Sequence, residues 1–312
     1  MVELSSLQRM ELKNFPHVSL FIEIMEKDYP FLVGAVRRQI AEFGPPLILS
    51  FEAELFTLFG SDIKKISNAV TGYAKFSLDA MKLQMKFQKT HHYESASYAE
   101  ANTQVYQNRD YMFNLYLPGI LISHYLWRHH YKQQIFFDDL FLPEISNDGT
   151  LFFDVGVGTG FYSKRMLEKT SMQGVGFDMS PHSIEFTQTL IESHRLNSRY
   201  STRLADICSY KDKEQADVII NVEVLEHLED PQSFLKCLVA MLKPGGHAFI
   251  AAAVNAPNED HIYLYRSGEE VAKHIEESGL HIIYHSYDYA YEPRRKDELV
   301  PVNAVFIAKK GA

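Results

Sequence analysis

The first half of the chain repeats its apolar residues at helical spacing. Phe31, Leu32, Val36, Ile40 and Phe43 share one helix face, and the run stops at Gly44-Pro45-Pro46, a strong breaker. Ser50 is placed to cap a short helix carrying Phe51, Leu55, Leu58 and Phe59, closed by Gly60. A longer helix is expected from Ser61, with Ile63, Ile66, Val70, Tyr73, Ser77 and Met81 along one face. His91 to Ser97 interrupts the pattern. Tyr98 to Phe141 is again helical and unusually aromatic, with a break expected at Pro118-Gly119. No strand is predicted in this half.

The pattern changes near residue 145. Short β-branched or apolar runs (Leu151 to Val155, Gly174 to Phe177, Ser201 to Leu204, Asp217 to Val222, His247 to Ala253) now alternate with amphipathic stretches at Tyr162 to Glu168, Pro181 to Ser193 and Pro231 to Leu242. Such alternation predicts a parallel sheet with helices on both faces. His281 to Ala290 and Asn303 to Lys309 are strand-like runs with no helix between them, the pattern of an antiparallel pair at a sheet edge. The expected division is a helical lid or substrate domain at 1–145 and an α/β domain at 146–312.

Composition narrows the function. Of 312 residues 46% are apolar, enough for a sizeable core, and the net charge of −9 disfavours a nucleic-acid partner. Cys208 and Cys237 are too few for a disulfide framework and lack metal-binding spacing. Met1 to Asn14 has no signal-peptide pattern, and Tyr111 to Trp127, interrupted by Asn114, Pro118 and His124, falls short of a membrane span. A cytoplasmic location and no membrane partner are the expectation. The adjacent pairs His91-His92 and His129-His130 are poor chelates, because neighbours on a helix point about 100° apart. No metal is predicted.

The central chemical signal is Phe152-Phe153-Asp154-Val155-Gly156-Val157-Gly158-Thr159-Gly160-Phe161, a buried strand running into a glycine turn and then a helix. The glycines permit close ligand approach and positive φ. Their GxGxG spacing departs from the dinucleotide fingerprint, which requires a small residue where Phe161 stands. Asp178, in Gly176-Phe177-Asp178-Met179-Ser180, follows the turn by about 20 residues, where an acid grips ribose hydroxyls. Ala205-Asp206-Ile207 ends the next strand. Asn221-Val222-Glu223-Val224-Leu225-Glu226-His227-Leu228 ends the fourth, and Leu242-Lys243-Pro244-Gly245-Gly246 precedes the fifth.

These motifs, in this order, resemble the class I S-adenosylmethionine (SAM)-dependent methyltransferases over about residues 147 to 310. The resemblance implies a Rossmann-like seven-stranded sheet whose last strand is antiparallel, and SAM as cofactor. It assigns Asp154, Gly156 and Gly158 to the methionine end and Asp178 to the ribose, with Met179 also cofactor-binding. Asp206 and Ile207 would hold the adenine, with Asn221 and Val222 lining the cofactor from strand four. His227 is open to two roles, a base near neutrality or a cap for the helix entered at Asp230-Pro231.

The aromatic stretch offers Tyr106, Tyr111 and Tyr116 as a lid over a sulfonium, which cation–π attraction favours. Tyr116 and His227 are the catalytic candidates. Tyr106, Tyr111 and Asn114, with His261, Tyr265 and Arg266 from the loop after strand five, are the substrate-binding candidates; the last three can pin a carboxylate or phenol. The leading expectation is methyl transfer to a small molecule by a protein that can form a homodimer. One alternative is a SAM cyclase of the same fold, releasing azetidine-2-carboxylate and methylthioadenosine, to whose family the aromatic helical half gives a weaker resemblance. The other is a non-catalytic SAM-binding module.

Overall fold

The structure, a computed structural model, describes residues 12–95, 97–145, 150–210 and 215–311. Seven strands form one sheet: β1 (Leu151–Val155), β2 (Gln173–Asp178), β3 (Tyr200–Leu204), β4 (Ala216–Val222), β5 (Leu242–Val254), β6 (Leu280–Tyr289) and β7 (Val302–Lys310). Their order is β3-β2-β1-β4-β5-β7-β6, parallel except for β7, which runs antiparallel to both neighbours. The predicted α/β class and antiparallel final strand are both present. The order reverses between β1 and β4, so ligands are expected outside the carboxyl ends of those strands.

Alternation along the strands divides the core. Phe153, Val155, Ile219 and Ile250 face one side, against Leu235 and Leu238 of α8 (Pro231–Met241) and Val271 and Ile275 of α9 (Gly268–Glu277). Phe152, Val218, Ile220 and Phe249 face the other, against α6 (Phe161–Lys169), α7 (Pro181–Ser193) and the N-terminal helices. The latter are α1 (Pro16–Asp28), α2 (Pro30–Phe59), α3 (Ile63–Thr90), α4 (Leu117–Leu126) and α5 (Arg128–Phe136). The helical half thus shares one continuous core with the sheet. A buried ion pair reinforces the join: Lys164 of α6 meets Glu54 of α2, which also accepts from Tyr125 at 2.7 Å and lies 3.2 Å from His194 Nε2. Burial pushes the Glu54 carboxyl up, but Lys164 and His194 outweigh it and hold it at about 2.

Several local expectations change. At Gly44 (φ 60°) the chain bends but resumes helix at once through Pro45 and Pro46, because proline suits a first helical turn. Ser50 is therefore inside α2 and not its cap. On α3 the buried face is Ile66, Val70, Tyr73 and Ser77, while Ile63 and Met81 at its ends are exposed. The break expected at Pro118-Gly119 falls at Trp127, whose φ/ψ of −99°/126° separates α4 from α5. Pro118 is tolerated because the turn before it, Met112–Tyr116, is widened to the π form, with Leu117 N–H bonding Met112 C=O. Gly72 makes room for this turn; a Cβ there would lie 2.7 Å from the Asn114 carbonyl oxygen. Cys208 and Cys237, read as too few for a disulfide framework, are bonded to each other, tying the loop after β3 to α8.

Candidate active site

A cavity of about 970 Å³ runs across the carboxyl ends of β1 to β4 and continues under the N-terminal helices. One wall is the glycine loop. Gly156 has φ 75°, and a Cβ there would enter the volume of Val224, so this position excludes a side chain on two grounds. Phe161, where a dinucleotide fingerprint needs a small residue, instead stacks on His124 with ring centres 4.1 Å apart. The position serves contact with α4 and not close helix–sheet approach.

Asp154 lines the cavity but is buried and accepts from the Ser163 hydroxyl at 2.6 Å; burial raises its carboxyl to about 7. Asp178 accepts from Gly158 N–H at 3.0 Å and Ser180 N–H at 2.8 Å, locking the glycine loop to the end of β2. Its removal from water raises its pKa, while those backbone donors pull the other way. Met179, Asp206, Ile207 and Val222 also line the cavity; Asp206 accepts from Cys208 N–H and the Ser209 hydroxyl, both at 2.9 Å. Asn221 does not line it. Its amide donates to Val155 C=O at 2.8 Å inside the sheet, so its work is to tie β4 to β1.

The polar centre lies where two π turns end. Asn102–Tyr106 and Met112–Tyr116 each finish on a tyrosine that reaches Asp260: Tyr106 donates at 2.9 Å and Tyr116 by a short hydrogen bond. The widened turns redirect these side chains from helical positions to a common acceptor, a placement that helical periodicity does not reveal. Asp260 is fully buried. Burial pushes its carboxyl up, yet His227, His261 and the two hydroxyls outweigh it and hold it below the ordinary value. His227 Nδ1 lies 3.1 Å from the Asp260 carbonyl and 3.2 Å from the Tyr106 hydroxyl. It does not cap α8, since Asp230 performs that role by accepting from Ser233 N–H.

The loop after β5 contributes unevenly. His261 lines the cavity and is fixed by a 2.6 Å bond from Nδ1 to Ala256 C=O; burial lowers its pKa to about 3. Tyr265 is buried away from the cavity against His274, and Arg266 points outward. Tyr111 lies behind the cavity wall, its hydroxyl donating to Glu259, and Asn114 is exposed on the outer side of its turn. Sequence reading missed Tyr98, Glu223 and Val224, which line the cavity. Glu223 carries a signal visible only in the backbone: its φ of 54° is uncommon for a non-glycine residue. Away from the glycine loop the lining is mixed, with Phe76, Trp127, Ile120 and Leu126 beside Arg38, Glu42, Gln84 and Arg128.

Residues 153–250 match the profile of a methyltransferase domain. Over these residues the chain is similar to the methyltransferase-domain family. A ubiquinone biosynthesis O-methyltransferase of Coxiella burnetii is 31% identical over 128 residues, covering 41% of this chain and 53% of that one. The corresponding protein of Parvibaculum lavamentivorans is 33% identical over 120 residues, covering 38% and 46%. The chain thus spans about half the length of the curated relatives it matches. The N-methyltransferase NodS of Bradyrhizobium japonicum, solved with S-adenosylhomocysteine, superposes with a TM-score of 0.49 at 18% identity, over 66% of this chain and 98% of that one.

SAM is the cofactor of this methyltransferase family, and the residues fit it. The glycine loop leaves a cradle that a Cβ at Gly156 would disturb, and the acids Asp178 and Asp206 face the same cavity. Gly156, Gly158 and Asp154 would hold its methionine end, Asp178 the ribose, and Asp206 with Ile207 the adenine.

Proposed function

We propose that the protein transfers a methyl group to an oxygen of a small, largely apolar molecule such as a phenol. The observation that carries this reading is continuity: the glycine loop, the apolar side chains Phe76, Trp127 and Ile120, and the polar Tyr106, Tyr116 and His227 all line one cavity. The names of the curated relatives support an oxygen acceptor.

When bound, SAM supplies an electrophilic methyl group on a sulfonium. The chain's own contribution is placement and exclusion of water, which account for much of the rate in a direct displacement. α2, α3 and α4 close the acceptor end. Asp260 aims the Tyr106 and Tyr116 hydroxyls and fixes His227 through its backbone carbonyl, leaving His227 Nε2 free for another partner. Tyr116 and His227 are the residues we assign to the acceptor, together with Tyr106 and His261. The acidic charge supports a substrate other than nucleic acid, and a homodimer accords with the exposed apolar residues Phe31, Leu49 and Phe56 on α2. A cytoplasmic location belongs to the same reading.

A second reading, cyclisation of SAM itself, is favoured by one feature. The Tyr106–Asp260–Tyr116 cluster is enclosed and polar, so it can engage a charged amino acid end without any second substrate. One experiment separates the two. The protein is incubated with SAM alone and with SAM plus phenolic acceptors, followed by mass spectrometry. S-adenosylhomocysteine that accumulates only with acceptor supports methyl transfer. Methylthioadenosine formed from SAM alone overturns it in favour of cyclisation.

A further inference from the structure

Glu226, His227 and His261 form a cluster whose possible ligand atoms all lie within 4.8 Å of one another. We propose that these three side chains bind a divalent transition metal at the wall of the acceptor chamber. For the metal itself this stands apart from the methyl-transfer reading, and only its use on an acceptor oxygen rests on that reading.

Glu226 is the observation that points to a missing partner. Its side chain is fully buried, neither carboxylate oxygen meets a well-aligned donor among the described residues, and burial together with the neighbouring Glu223 carboxyl pushes its carboxyl well up. Glu223, three residues earlier, leaves Oε1 without a well-aligned partner among the described residues, as does Asp260 with Oδ1. Buried carboxylates normally pair with a cation or several donors, because leaving one bare in a low-dielectric interior is costly. Among the described residues no lysine or arginine is paired with Glu226.

The histidines are already arranged as ligands. His261 Nδ1 is 2.6 Å from the Ala256 carbonyl, and His227 Nδ1 is 3.1 Å from the Asp260 carbonyl. A carbonyl only accepts, so each Nδ1 carries the proton and each Nε2 keeps its lone pair. This is the outer-shell pattern of metal-bound imidazole, in which a backbone oxygen fixes tautomer and ring orientation. The rings stand at 89° with centres 4.7 Å apart. The two ligand segments are also tied together by backbone: Ile262 N–H and Tyr263 N–H both donate to Glu226 C=O, at 2.7 and 2.9 Å. The site is thus built before any metal arrives.

Two imidazoles and one carboxylate suit zinc, cobalt or iron in the divalent state, and three protein ligands leave positions open. His227 and His261 both line the cavity, so those open positions are accessible from it. An acceptor bearing one or two hydroxyl oxygens, a phenol or catechol, is the class such a centre takes, since a metal lowers the pKa of a bound hydroxyl.

The full-length protein, stripped with chelator and desalted, is titrated with Zn²⁺ by calorimetry, and retained zinc is measured by mass spectrometry. The expected result is about one zinc per chain, with affinity falling at least tenfold in Glu226→Gln and in His261→Ala. Binding of S-adenosylhomocysteine, read as a thermal shift, reports whether each variant is folded, and His261→Gln replaces any that is not. No zinc uptake by protein that responds to S-adenosylhomocysteine overturns the proposal, and so does equal uptake by a Glu226→Gln/His261→Gln double variant. Zinc uptake lost with these side chains, in a protein that methylates nothing, supports the site and rejects only the methyl-transfer reading.

Discussion

Asp260 accepts a hydrogen bond from Tyr106 at 2.9 Å across 154 residues of chain, and a shorter one from Tyr116. Both tyrosines end widened helical turns, so the carboxylate joins the helical half to the loop after β5 at the cavity wall. Tyr116→Phe and Asp260→Asn are each expected to lower kcat at least about tenfold at saturating SAM, a loss near 1.4 kcal/mol in the barrier. Circular dichroism should be unchanged for Tyr116→Phe. Wild-type turnover in both variants would show that the cluster is only structural.

Asp178→Ala should weaken S-adenosylhomocysteine binding by roughly 1.5–3 kcal/mol, the range for hydrogen bonds to a charged group. Asp178 also accepts from Gly158 and Ser180 N–H, so its loss loosens the loop as well. Asp206→Ala should cost less, because its side chain is exposed and the adenine donor is neutral. Calorimetry with equal affinities for the two variants would refute the ribose assignment.

Gly156→Ala introduces both a strained φ and an overlap with Val224. It should lower the melting temperature and abolish the thermal shift given by S-adenosylhomocysteine. Adding Val224→Ala relieves the overlap but not the dihedral, so the double variant should recover only part of the loss. Full recovery would mean that φ at this position is unimportant.

Glu54 makes stability acid-sensitive. Its folded value of about 2 lies below the ordinary 4.5, so its contribution is complete above pH 4.5 and is lost as pH falls toward 2. Glu54→Gln leaves Lys164 buried without its partner, at a cost of about 3–5 kcal/mol at neutral pH. Glu54→Gln with Lys164→Met should restore much of this. Chemical denaturation at pH 7 and pH 3 checks both claims: the wild type should lose stability between them through this group, and the double variant should not.

Removing residues 1–145 should leave an insoluble fragment. Phe152, Val218, Ile220 and Phe249 would lose the cover of α2 to α5, baring a sheet face with no alternative partner. A soluble 146–312 fragment with a cooperative melting transition would show that the helical half is a separable lid after all.

Strand–helix alternation and the glycine turns made the strands, their parallel arrangement and the final antiparallel pair legible, because strands buried on both sheet faces are short continuous apolar runs bounded by local turn signals. Glycine and acid spacing also marked Gly156, Gly158, Asp178 and Asp206, which the fold sets at strand ends along one cavity. Tertiary structure decided what lies opposite them. The π turns that bring Tyr106 and Tyr116 to Asp260 leave no periodic trace, since one residue of widening re-aims a side chain without changing which residues are apolar. Tyr265 and Arg266 turn away and His261 turns in, although all three share one polar loop: the His261 ring is held by the Ala256 carbonyl, the Tyr265 hydroxyl meets His274, and Asn255 holds the backbone of Tyr265 and Arg266. Asn221 looked like a cofactor contact and is a sheet tie, since only the tertiary structure brings its amide within reach of the Val155 carbonyl. The widely separated partners Glu226 and His261 meet for the same reason: their contact is long-range, and no spacing along the chain encodes it.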